Sequence, residues 1–134
     1  MRALLDTDTV SLIWRHKHPA VWLNVSRYLT QYGHLTFTEL TYYEVARGLR
    51  TAQATKQLTD FEVFCQQHEL LPLTHAAVVR AADIWADLKH RGQLIGEVDV
   101  LIAGIAMSEG VAIVSRNIRH FGRIAGLTVI DWTQ

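Results

Sequence analysis

Val98-Asp99-Val100-Leu101-Ile102-Ala103-Gly104-Ile105-Ala106-Met107-Ser108-Glu109-Gly110-Val111-Ala112-Ile113-Val114 is the stretch that decides the fold class. A helix over 98–109 would be apolar almost all round, so it belongs at the centre of the molecule rather than on its surface. The run 111–114 that follows favours a buried strand. Helices alternating with short buried strands define an α/β protein, in which a mostly parallel sheet is covered on both faces. The alternation extends outward: further strands are expected at 3–5, 34–37, 70–73 and 127–130, and helices at 9–15, 19–32, 38–49, 54–68 and 75–91. Pro19 opens one helix at a position where its missing N–H costs nothing, and Gly33 follows its end.

A chain of 134 residues with 49% hydrophobic content suffices for one core and is too short for two, so a single domain spanning 1–134 is expected. Thirteen basic and thirteen acidic residues balance. That balance excludes a charged tail without excluding nucleic acid, because Arg116, Arg119, His120 and Arg123 cluster locally. Cys65 is the one cysteine, has no partner for an intrachain disulfide, and fits a reducing cytoplasm. No export signal precedes the first strand. The most apolar stretch is interrupted by Asp99 and falls short of the roughly 20 residues that a membrane span needs, so no membrane association is expected.

Three carboxylates stand where this topology places ligands. Asp6 ends the first strand, at the sheet edge where open α/β folds bind them. It or Asp8 could instead cap the helix that follows, with Asp8 the better candidate. Glu44 shares a helix face with Leu40, Tyr43 and Arg47, so it either pairs with Arg47 or points into a protected pocket. Gly48, one turn further on, leaves the surface beside that carboxylate bare and open to a ligand or another backbone. Asp99 begins the apolar helix, where the helix dipole favours an acid, yet Glu97 could serve that purpose from a more exposed position. If the three converge, each raises the cost of ionising the others, and a hard divalent cation relieves it. An all-oxygen set suits Mg²⁺ or Mn²⁺ and argues against zinc. The seven histidines show no metal-ligand spacing. After the strand 111–114, Ser115 and Asn117 could position water, and Arg116, Arg119 and Arg123 offer donors matched to phosphate oxygens.

Four segments in order resemble the successive motifs of the PIN-domain ribonucleases, in particular the VapC toxins of type II toxin–antitoxin systems: Leu4-Leu5-Asp6-Thr7-Asp8-Thr9-Val10-Ser11, Tyr42-Tyr43-Glu44-Val45-Ala46-Arg47-Gly48-Leu49, Ile95-Gly96-Glu97-Val98-Asp99-Val100-Leu101-Ile102-Ala103 and Val114-Ser115-Arg116-Asn117-Ile118-Arg119-His120-Phe121. The resemblance implies a three-layer α/β/α fold around a mostly parallel sheet of about five strands. It implies Mg²⁺- or Mn²⁺-dependent endoribonuclease activity, a homodimer and neutralisation by a VapB-like antitoxin. Asp6, Glu44 and Asp99 would hold the metal, Asn117 would complete the catalytic set, and Ser115, Arg116 and Arg119 would bind substrate. Asn117 stands where an aspartate is frequent in the family, which removes one charge from the site.

Two other readings compete. Asp6-Thr7-Asp8-Thr9-Val10 also resembles the opening motif of haloacid-dehalogenase-type phosphatases, in which Asp6 would be the nucleophile and Asp8 the acid/base. That chemistry needs a lysine, and Lys17, Lys56 and Lys89 follow no strand convincingly. A non-catalytic RNA- or protein-binding module would instead use Trp14, Trp22, Trp85 and Trp132 as interface anchors.

Overall fold

The computed structural model describes residues 1–16 and 18–134, leaving Lys17 outside the described residues. In chain order the elements are β1 (Ala3–Leu5), α1 (Thr7–Trp14), α2 (Pro19–Tyr32), β2 (Thr36–Thr38), α3 (Glu39–Thr51), α4 (Thr55–Gln66), β3 (Glu69–Leu71), α5 (His75–His90), α6 (Glu97–Glu109), β4 (Ala112–Val114), α7 (Ile118–Phe121) and β5 (Val129–Ile130). All strand pairings are parallel. The five strands form two ladders, β1-β4-β5 and β2-β3, and β2 packs beside β1. The expected sheet of about five strands is therefore divided into three and two. The strands are two or three residues long, so each pairing offers few rungs.

Alternation along the central strands builds the layers. Ala3 and Leu5 of β1 and Ala112 and Val114 of β4 face one core, shared with Val10, Val25, Phe37 and Phe61. Leu4 and Ile113 face the other, shared with Leu88, Ile102, Ile105 and Phe121. Successive strand residues point to opposite faces, so a three-residue strand buried throughout needs cover on both. Helices α1 to α4 supply one cover and α5 to α7 the other. This is the α/β/α arrangement expected from the sequence.

The helix over 98–109 is as central as its composition requires, beginning one residue earlier at Glu97. Gly104 lets it approach α5 closely, since a Cβ there would lie 2.6 Å from the Ala77 carbonyl oxygen and 3.0 Å from the Ala81 Cβ. Gly48 in α3 is the opposite case, because a Cβ there would meet nothing within 4 Å. Gly104→Ala should therefore cost about 1–3 kcal/mol by overpacking. Gly48→Ala should gain roughly 0.5–1 kcal/mol, because a helical glycine wastes chain entropy. Thermal unfolding of the two variants checks both signs. Cys65 is buried, and burial, followed by the charges of Glu62 and Glu39, pushes its thiol up to about 12. It is a packing residue with an unreactive thiol.

Candidate active site

The first carboxylate is placed by the β1–α1 junction. Asp6 continues β1 by donating its N–H to the Val114 carbonyl (3.0 Å), and its Oδ1 accepts the Thr9 N–H (2.9 Å) as the N-cap of α1. The cap is thus Asp6 rather than Asp8, because α1 starts at Thr7, two residues before the expected boundary. Asp8 turns outward and takes Arg116 in a two-pronged pair, at 2.6 Å to Nε and 3.2 Å to Nη2. The other oxygen of Asp6, Oδ2, accepts the Ser115 hydroxyl (2.6 Å), so the ends of neighbouring strands β1 and β4 are tied together beneath the cleft. Burial pushes the Asp6 carboxyl above its ordinary range, against the pull of its bonds from Ser115 and Thr9.

The second carboxylate is held by two threonines. Glu44 Oε1 accepts the Thr7 hydroxyl (2.6 Å). The Thr7 oxygen lies 3.0 Å from the Thr41 hydroxyl, and having spent its own proton on Glu44 it must accept there. Glu44 Oε2 is 3.7 Å from Arg47, so the local pairing and the pocket-facing orientation occur together, one on each oxygen. The third carboxylate, Asp99, sits half-buried in the first turn of α6. Burial raises its pKa first, then the charges of Asp6 and Glu44, while His120 opposes them. The charges of Asp6 and Glu44 thus act on Asp99.

Asp6, Thr7, Asp8, Glu44, Asp99, Arg116 and Asn117 line one cleft of about 540 Å³. Ser115 is buried beneath it, donating to Asp6 while accepting the Asn117 N–H at 2.9 Å. The Asn117 amide nitrogen is 2.9 Å from His120 Nδ1. His120 is marked in the sequence only as part of the basic cluster with Arg116, Arg119 and Arg123; its contact with Asn117 one turn earlier emerges with the short helix α7. The three arginines divide. Arg116 lines the cleft but is engaged by Asp8; Arg119 is exposed and does not line it. Arg123, expected to offer donors to phosphate, instead donates Nη1 to the Gln93 and Leu94 carbonyls (3.3 and 3.2 Å). It clamps the loop before α6.

Ser115→Ala should strand Asp6 Oδ2 without a donor in a buried site, at a cost of about 1–3 kcal/mol. Losing that bond raises the folded-state pKa of Asp6 further. The loss is therefore full at neutral pH and shrinks as pH falls through that raised pKa, when the carboxyl protonates. Denaturant unfolding of wild type and variant across that range is the check.

The donor set fits a hard divalent cation. Its donors are oxygens, and two of its carboxyls are shifted towards protonation, which a cation would reverse. Among the described residues no three His, Cys, Asp or Glu side chains gather as a preformed metal cage.

A three-layer fold whose central strand ends on a buried aspartate, joined in one cleft by acids from α3 and the start of α6, is the architecture of a PIN domain. Residues 3–127 match that family profile, and the chain belongs to the PIN domain family. It is similar to the tRNA(fMet)-specific endonuclease VapC of Shigella flexneri, at 29% identity over 99% of each chain, and to ribonuclease VapC2 of Haemophilus influenzae strain Rd, at 27% over 98% of each. Its fold matches a crystal structure of DNA-bound VapBC from Salmonella typhimurium, with a TM-score of 0.88, 28% identity and 98% of each chain covered. No described helix is long and apolar enough to cross a membrane.

Proposed function

We propose that this chain is the toxin of a VapBC-type toxin–antitoxin pair, a divalent-metal-dependent endoribonuclease. The observation that carries the reading is the meeting of Asp6, Glu44 and Asp99 in one cleft, at the carboxyl edge of the strands, with each raising the cost of charge on Asp99. The endonuclease and ribonuclease names of relatives aligned along nearly the whole chain support the same activity.

Asp6 and Asp99 would hold the metal, and Glu44 would join them or orient water. Thr7 and Thr41 fix the Glu44 carboxylate, so its free edge faces the cleft without rotamer search. Ser115 and the backbone of Asn117 lock the end of β4 against Asp6. The Asn117 amide is a neutral donor at the wall of the cleft and adds no charge for a second cation to balance. Arg116, paired with Asp8 at the cleft, and Arg119, exposed outside it, would attract the RNA backbone without reading its sequence. When bound, a hard cation of the Mg²⁺ or Mn²⁺ type would neutralise phosphate charge and activate water for in-line hydrolysis, giving 5′-phosphate and 3′-hydroxyl ends.

A phosphatase using Asp6 as nucleophile fits poorly. Asp8, which would have to be the acid/base, is paired with Arg116, and no described lysine lines the cleft. The non-catalytic module loses most of its anchors as well: Trp132 is buried in the core, Trp14 and Trp22 pack against it, and only Trp85 is substantially exposed.

The VapBC relatives of known structure support a VapB-like partner, and a homodimer is part of the same proposal. Incubating total RNA with the purified chain in Mg²⁺ and mapping new 5′ ends tests the activity. Discrete cuts bearing 5′-phosphates, suppressed by the purified antitoxin, are expected; intact RNA would sink the reading. Initiator tRNA is the first substrate to try, given the name of the Shigella relative.

A further inference from the structure

A second groove leaves the acidic cleft at Thr7 and Glu44, which line both. It runs between α1 and α3 with a volume of about 380 Å³, and Ser11, Arg15, Gly48 and Gln57 are among its walls. Thr7, Ser11 and Arg15 recur every four residues and so lie along one face of α1, with Arg15 as its C-cap. From Thr7 to Arg15 the helix rises roughly 12 Å. Opposite them, Gly48 stands one turn beyond Glu44, and nothing lies within 4 Å of where its side chain would be. A glycine in mid-helix costs stability, and packing gives no reason for this one, in contrast to Gly104.

We propose that this groove binds the RNA strand flanking the scissile phosphate, with Arg15 as the distal phosphate contact and Gly48 kept bare so that the strand can pass. The proposal rests on the ribonuclease reading of the cleft and extends it to a substrate subsite. Three features favour RNA. The groove is continuous with the cleft that would hold the scissile phosphate. Its far end carries a guanidinium that pairs with no carboxylate among the described residues, while the acid of the groove, Glu44, lies at the near end. Its walls mix polar and apolar groups, and the polar ones include the Ser11 hydroxyl and the Gln57 amide, which suit sugar and base edges. A protein segment would need a deep apolar pocket for its anchors, but Val45 and Leu49 are already buried in the core below.

The test uses a single-stranded RNA of about twenty nucleotides containing a mapped cut site, and versions trimmed up to that site from either end. Wild type should cleave the full strand at least tenfold more efficiently than one of the trimmed versions, mainly through KM. Gly48→Leu, which blocks the groove, and Arg15→Ala, which removes the cation, should each erase most of that advantage while melting at or near the wild-type temperature. In an Asp6→Asn background, which keeps the α1 cap but removes the acid, Gly48→Leu should weaken binding of the fluorescent full strand about tenfold. Equal cleavage of full and trimmed strands by wild type would overturn the proposal and leave the nuclease reading standing. So would Gly48→Leu protein that cleaves and binds like wild type. Variants that cut normally but escape the antitoxin would assign the groove to the protein partner and overturn it too. RNA that wild type never cuts is instead the failure of the nuclease reading, and unchanged binding in the Asp6→Asn background would then overturn the groove assignment separately.

Discussion

Asp99→Asn should lower RNA cleavage at least a hundredfold and leave the metal-free protein as stable as wild type, or more so. The two halves of this result come from one cause. Ionised Asp99 is half-buried and repelled by Asp6 and Glu44, so in the absence of a cation its charge opposes folding. The isosteric amide keeps the shape and removes the repulsion. Were Asp99 only a partner for the helix dipole, the change would cost about 0.3–1 kcal/mol and spare any activity. Its pH dependence has a definite sign. A carboxyl whose folded pKa is raised binds protons more readily folded than unfolded, so metal-free wild type should gain stability as pH falls through the raised pKa values of Asp6 and Asp99 towards 3.8. The gain should be smaller in Asp99→Asn. In divalent cation the order reverses, because a ligand at a hundred times its Kd adds about 2.7 kcal/mol to the form that binds it. Melting curves in chelator and in Mg²⁺, beside a cleavage assay, read all of this.

The second large effect separates the two jobs of Asp6. Asp6→Ala and Asp6→Asn should both lose cleavage by at least about a hundredfold, since neither retains the charged oxygen in the cleft. Only the alanine should unfold easily. It removes the cap on the Thr9 N–H, worth about 0.5–2 kcal/mol, and leaves the buried Ser115 hydroxyl without its acceptor. Asparagine caps a helix as well as aspartate does. Equal melting temperatures for the two variants would show that the structural role is misassigned, and retained cleavage in the asparagine variant would show that the chemical one is.

Much of this was legible in the residues because burial leaves a pattern. The apolar 98–109 run had to be central, and strands buried on both faces had to be covered twice; β1 and β4 obey that rule residue by residue. Convergence of Asp6, Glu44 and Asp99 followed from topology, since strand ends and the helices after them share an edge. Fine placement was less visible. The start of α1 depended on which aspartate turned inward, and the rival caps Asp6 and Asp8 differ by a Ser115 that is over a hundred residues away in sequence. Arg123 could not be separated from Arg116 by local chemistry, because its carbonyl partners at Gln93 and Leu94 belong to another loop. Thr7 and Thr41 were not marked by local pattern. Their hold on Glu44 needed the packing of α1 against α3.

Stripping the protein with chelator and titrating Mg²⁺ back while following cleavage of a mapped RNA site tests most directly whether the three carboxylates act through a metal. The expected result is no cleavage in chelator, recovery that saturates with Mg²⁺, and no recovery at the same concentrations for Asp99→Asn. Cleavage undiminished by chelator, or equal recovery in the variant, would contradict the account.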